Sequence, residues 1–263
     1  MINLEAAAAK PQDAVVMTRA RPSPSAAVQP KSHLTRRPLY AMAVGAVVAA
    51  LFVGASPGQA NGEETAFPMV DCADVEVVFA RGTFEGPGVG KVGEPVIDAL
   101  HQRLPERTVG VHAVNYPASL QFDRVVDGIQ DVGNRLRDLT ADCPTTDIVV
   151  GGYSQGAAVS GYFTSETAPA GYALDPLTSD VAERITAVVL FGKPSPDVVR
   201  LLRHEAPPIE IGPAFTDRTI DLCARGDPIC QGGGLDRGAH SAYAVNGMAE
   251  AAAEFVIARL GSR

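Results

Sequence analysis

"VVGGYSQGAAVSG", residues 149–161, decides how this chain is read. An apolar run leads into a serine bracketed by glycines, and a run of small residues follows. Gly152-Tyr153-Ser154-Gln155-Gly156 is a G-x-S-x-G pattern. By itself it fits an ordinary glycine-rich turn as well as a reactive hydroxyl. Its flanks favour the second, because a strand before and a small-residue helix after predict a sharp strand-to-helix turn with the serine at its apex. The backbone of such a turn is strained and needs small neighbours. Gly152 and Gly156 serve the turn, and Gly161 lies on the close-packed face of the following helix. Gly151 has no reading from the sequence. The helix aims its N-terminus at the serine, where free N–H groups and partial positive charge suit an oxyanion.

Working outward, five short Val- and Ile-rich runs appear near 75–80, 108–115, 147–152, 185–191 and 218–223. They are almost unbroken, as strands buried on both faces are. Helical patterns lie between them. Phe122, Val125, Val126, Ile129, Val132, Leu136 and Leu139 recur at gaps of three and four. Residues 92–104, 195–205 and 247–260 read as further helices. Alternation of this kind predicts an α/β domain with a mainly parallel sheet and helices on both faces. Ligands of such sheets bind at the carboxyl ends of the strands, where Ser154 falls.

A serine hydroxyl is a poor nucleophile without a base. Of five histidines, His33 lies in the leader, His101 and His204 sit in helical patterns as surface residues, and His112 lies in a strand. His240 follows the last strand, in the loop "QGGGLDRGAHSAY". That satisfies the order serine, acid, histidine expected of this strand–turn–helix arrangement. The acid candidates between them are Asp221, Asp227 and Asp236. Asp221 falls within a strand, and Asp236 stands beside Arg237 in a glycine-rich stretch as a solvated pair. Asp227 sits in "CARGDPIC", where a Cys223–Cys230 bridge holds its carboxylate still, as orienting an imidazole requires.

The first 60 residues differ from the rest. They hold six basic residues against Glu5 and Asp13, while the whole chain carries a net charge of −8, so the remainder is strongly acidic. An acidic body excludes nucleic acid as the main partner, since phosphates are neutralised by Lys and Arg. Arg36 and Arg37 precede an apolar run from Leu39 to Ala55 and the small residues ending at Ala60. This reads as a secretory signal peptide cleaved near Ala60, exported by the Sec or twin-arginine route, and the long charged leader leaves the start open between Met1 and Met17 or a later codon. The competing reading is an anchoring helix, for which the run is short. The domain boundaries follow: leader 1–60, single domain 61–263. Four cysteines, all beyond the cleavage point, allow three pairings. Cys223 and Cys230 can close a small loop, which leaves Cys72 with Cys143. No C-x-x-C pair suggests zinc, and no metal or cofactor is expected.

The motifs "FARGTFE" (79–85), "NYPASL" (115–120), "GGYSQGA" (151–157), "CARGDPIC" (223–230) and "HSAY" (240–243) together resemble the cutinase family, in its bacterial cutinase-like branch. The resemblance spans about Val70 to Leu260. It implies a lidless α/β-hydrolase with a five-stranded sheet and serine-esterase activity. Carried over, it implies Ser154 as nucleophile, His240 as base and Asp227 as acid. It also implies an oxyanion hole from the backbone N–H groups of Gln155 and Thr83, and the pairings Cys72–Cys143 and Cys223–Cys230. The chain departs from the family at 232–238, which is glycine-rich where fungal members carry apolar residues, and at Lys193, where Asp is frequent.

The expected function is thus secreted, extracellular or cell-wall-associated hydrolysis of carboxylic esters of short to medium acyl chains or of lipids, by a monomer with no stable membrane span after cleavage. Alternatives with the same three residues are an acetyl esterase on polysaccharide, a phospholipase or thioesterase, or an acyltransferase. From another class, the rival is a non-catalytic surface or antigenic protein.

Overall fold

The structure is a computed structural model that describes residues 71–166 and 178–260, all within the unit Glu64–Arg263. The leader, its cleavage site and the boundary at residue 61 lie outside the described residues.

Five strands, β1 (Val75–Ala80), β2 (Val109–Ala113), β3 (Asp147–Tyr153), β4 (Ile185–Phe191) and β5 (Thr219–Leu222), form one sheet in the order β2-β1-β3-β4-β5. Every pairing is parallel. The chain leaves β1 to one side for β2 and returns to the other side for β3. The strand order therefore reverses between β1 and β3, and a crevice opens there beyond their carboxyl ends.

The central runs β1, β3 and β4 become strands because each needs apolar cover on both sides, whereas β2 and β5, at the edges, are only partly covered, contrary to the reading of all five runs as buried on both faces. Val75, Val77, Phe79, Val149, Val189 and Phe191 point into one layer, which contains α1 (Gly90–Arg103) and, after the last strand, α7 (Met248–Leu260). Val78, Ala80, Ile148, Val150, Val188 and Leu190 point into the other, with α2 (Val125–Asp142) and α3 (Gln155–Phe163). The stripe read from Phe122 to Leu139 is the buried face of α2, with Phe122 in a preceding 3₁₀ turn. A short α4 (Ser179–Arg184) leads into β4, and α5 (Pro196–Leu202) follows it.

Two expectations change. The helix read over 195–205 stops at Leu202, so His204 lies outside it in a turn. Arg203 is already extended, at φ −153° and ψ +109°, which ends the helix before His204. His240 is not in an irregular loop but in a five-residue helix, α6 (Arg237–Ser241). Asp236 caps that helix, accepting from the Gly238 and Ala239 N–H groups at 2.8 and 3.2 Å. Among the described residues no helix is long and apolar enough to cross a membrane.

Candidate active site

Ser154 stands between β3 and α3 with φ +56° and ψ −116°, a conformation rare for any residue with a side chain. Its N–H donates to Phe191 O at 2.8 Å and its carbonyl accepts from Ala158 N at 3.1 Å, so sheet and helix clamp it from both sides. The flanking glycines are steric necessities. A Cβ on Gly156 would stand 1.9 Å from Ala80 O, and one on Gly152 would stand 2.2 Å from Gly156 O. Helix α3 thus lies directly against the end of β1. Gly151 also acquires a reason: a Cβ there would lie 2.7 Å from both the Phe79 ring and Val189 Cγ2.

The structure brings Ser154, His240 and Asp227 together. His240 Nε2 lies 2.9 Å from Ser154 Oγ, and His240 Nδ1 lies 2.8 Å from Asp227 Oδ2. Asp227 is fully buried, and its Oδ1 accepts from Ile229 N at 2.8 Å. With Asp227 on Nδ1, that nitrogen carries the hydrogen, leaving Nε2 as acceptor for the serine proton. The other two acid candidates are occupied elsewhere. Asp221 on β5 pairs with Lys193 at 3.3 Å, and Asp236 caps α6 without an Arg237 contact. Lys193 also donates to Ile209 O at 3.2 Å, so the departure at this position ties three segments together.

Both bridges are formed, Cys72–Cys143 and Cys223–Cys230, and no cysteine is free among the described residues. The second closes the loop that carries Asp227. Gly192, at φ +57°, opens the space this loop needs: a Cβ there would stand 3.1 Å from Asp227 Oδ2, His240 Cε1 and Tyr243 Cε2.

Gln155 begins α3, so its N–H has no partner within the helix. Thr83 lies in the turn after β1, half-buried, and its N–H has no hydrogen-bond partner among the described residues. That turn lies beside the serine, because Gly82 packs against the Tyr153 ring. The turn is braced from several directions. Phe84 N donates to Ala118 O at 2.7 Å, and the buried Arg81 donates to Val114 O and Tyr116 O at 3.2 and 2.6 Å.

Several contributors were invisible in the sequence. The Gln155 side chain is buried, and its Nε2 donates to Ser119 O at 2.7 Å, tying the serine turn to the segment after β2. Tyr153 donates to His240 O at 2.5 Å, and Tyr243 donates to Asp227 Oδ2 at 2.6 Å. Burial first, then the charges of Glu85 and Asp227 for Tyr153 and the hydrogen bond to Asp227 for Tyr243, push both phenols well above their ordinary range. Both therefore stay protonated as donors. Among the described residues no group of three or more His, Cys, Asp or Glu is placed to hold a metal ion.

Similarity to known proteins converges on one answer. The Cutinase family model matches residues 71–260. Over 175 residues the chain is 45% identical to the probable carboxylesterase Culp5 of Mycobacterium tuberculosis, covering 65% of this chain and 99% of that protein. It is 40% identical over 189 residues to the phospholipase Culp4 of the same organism, covering 72% and 80%. Among solved structures, the Trichoderma reesei cutinase bound to a phosphonate inhibitor superposes with a TM-score of 0.56 at 35% identity, covering 72% of this chain and 77% of that one. An acetylxylan esterase at 22% identity shares the fold, with a TM-score of 0.60 over 72% of this chain and all of that one. Taken together, the family match and these relatives show that the chain belongs to the cutinase family of carboxylic ester hydrolases.

Proposed function

We propose that the chain is an exported serine esterase working through an acyl-enzyme on Ser154. The observation that carries this is the unbroken hydrogen-bond path from Ser154 Oγ through both ring nitrogens of His240 to the buried Asp227. Ser154 Oγ attacks the ester carbonyl carbon while His240 Nε2 takes its proton. Asp227 fixes the ring and stabilises the imidazolium that forms. The oxyanion accepts from the Gln155 and Thr83 N–H groups, which lie in the two segments meeting at the strand-order reversal. Collapse of the tetrahedral species breaks the ester bond, and His240 returns the proton to the leaving alcohol. Water, deprotonated by His240, then releases the acid and restores the serine.

Apolar side chains in the segments around the site favour apolar acyl groups. Phe84 follows β1 and Leu120 follows β2, while Leu235 and Val245 flank α6, and all four are at least 70% exposed. Leu235, at 92%, gives the glycine-rich segment before His240 an apolar tip that its composition hides. The 40% identity to a protein named a phospholipase favours lipid esters as the second reading, which a screen of acyl chain length and lipid class would separate from simple esters. Export with removal of the leader is consistent with two disulfides in the described residues. One chain supplies all three side chains, so the proposed reaction needs no second copy.

The test is Ser154→Ala. Hydrolysis of a p-nitrophenyl ester should fall by about 10³-fold or more while the fold persists, and fluorophosphonate labelling should disappear. A variant that still turns over near the wild-type rate would sink the serine reading.

A further inference from the structure

We propose that Tyr243 is a positioning residue for ester hydrolysis, its hydroxyl setting the direction and charge of the Asp227 oxygen that faces His240. This rests on the serine mechanism proposed above and assigns a role to a residue three positions beyond the histidine.

Asp227 Oδ2 accepts two hydrogen bonds, from His240 Nδ1 at 2.8 Å and from the Tyr243 hydroxyl at 2.6 Å. Oδ1 is taken by Ile229 N at 2.8 Å. The carboxylate is therefore gripped at both oxygens, and a second donor shares the one that the imidazole uses. The Tyr243 hydroxyl in turn accepts from Ala224 N at 3.0 Å and contacts Cys230 Sγ at 3.4 Å. One buried oxygen thus touches the start, the middle and the end of the disulfide-closed loop. The ring leaves it no freedom. Tyr243 is fully buried, edge-on to Phe191 and to His240 at centroid separations of 5.9 and 6.3 Å, and tilted against Tyr153 at 5.8 Å.

A residue that merely filled this volume could be phenylalanine. The hydroxyl adds a short hydrogen bond to a charged acceptor, a stronger class than a neutral pair. Its consequence falls on the acid–histidine contact. Withdrawing charge from Oδ2 weakens the pull of Asp227 on the imidazolium, so with the hydroxyl in place His240 works as a base down to lower pH than without it. The other groups on this ring are Ser154 and Tyr153 at the end of β3, with Glu85 acting on Tyr153 from the turn after β1 and Lys91 over the Tyr153 ring from α1. On its own helix, Asp236 is the cap and Arg237 the first residue.

The experiment uses the purified protein with Tyr243→Phe and, separately, 3-fluorotyrosine at position 243, a stronger donor of nearly the same shape. The readouts are kcat and KM for a p-nitrophenyl ester along the acidic limb of the pH profile, with thermal unfolding in parallel. Tyr243→Phe should lower kcat about tenfold with KM unchanged, the loss expected for one hydrogen bond to a charged group. It should also move the acidic limb of kcat/KM to higher pH, and the fluorinated residue should move it to lower pH. A hydroxyl that only supports packing would lower the unfolding midpoint and leave the limb in place, and that result overturns the proposal. If Tyr243→Phe does not fold, the fluorotyrosine protein decides alone, and an unmoved limb overturns it. An active Ser154→Ala defeats the serine mechanism itself, whereas an inactive Ser154→Ala beside a wild-type-like Tyr243→Phe defeats only the role of Tyr243.

Discussion

At the carboxyl ends of the strands the backbone is bent. Phe84, Ala118 and Ser154, the three non-glycine residues with positive φ among those described, follow β1, β2 and β3 there. At the amino ends the close contacts are ion pairs and side-chain clasps. Arg107 meets Asp147 at 2.6 Å, Arg135 meets the nearly buried Glu76 at 2.5 Å, and Thr146 donates to Ala73 O at 2.7 Å. Strained conformations persist only where the surroundings determine them. Here one end of the sheet carries the strain of a reactive serine, and the other carries fastenings that take no part in the site.

The two disulfides divide along the same line, which makes them the strongest way to test it. Cys72–Cys143 lies at the amino end and spans 71 residues, while Cys223–Cys230 lies at the site and spans 7. Loop-closure entropy assigns the long bridge about 4 kcal/mol and the short one about 2 kcal/mol. Replacing Cys72 and Cys143 by alanine should therefore cost more stability in urea unfolding and leave kcat nearly unchanged. Replacing Cys223 and Cys230 should cost less stability but lower kcat, because Asp227 loses its frame. If kcat falls in proportion to stability in both variants, the division between the two ends is wrong.

How far the sequence carried the reading depends on how local each cause is. The central strands were legible because apolar runs need cover on both faces whatever the details of that cover, and the half-covered edge strands β2 and β5 were legible as shorter apolar runs of the same kind. Ser154, Asp227 and His240 were legible because order along the chain narrows the choices. Helix α6 was missed because it is five residues long and begins in a glycine-rich segment, with Asp236 as its cap. The donors behind the site were missed because their partners are remote: Tyr243 is 16 residues from Asp227, and Gln155 is 36 from Ser119.

Gly151 is the clearest such case, since its reason lies in Phe79 and Val189 on the two neighbouring strands. It sits midway between the fastened and the strained ends. Gly151→Ala forces a methyl against both side chains and should cost about 1–3 kcal/mol of stability in urea. If kcat falls more steeply than stability, the strain at Ser154 extends three residues into β3, and the boundary between the two ends moves accordingly.

The smallest expected effect isolates the amino end by pH. Asp74 accepts from Thr108 N at 2.7 Å and from the Thr108 hydroxyl at 2.9 Å, joining the entries to β1 and β2. The backbone hydrogen bond first, and the hydroxyl second, hold its carboxyl below the usual carboxylate range. A folded-state value below the unfolded one means that the contribution is fully present above the unfolded value. It is lost as pH falls through the folded one. Asp74→Asn should therefore unfold slightly earlier than the wild type at neutral pH, and the gap in midpoint should close as the solution is acidified through that range. Because the clasp lies at the fastened end, kcat should be the same for both proteins at every pH where both are folded. A gap that persists in acid would show that the clasp does not depend on the charge of Asp74, and a change in kcat would show that the two ends of the sheet are coupled after all.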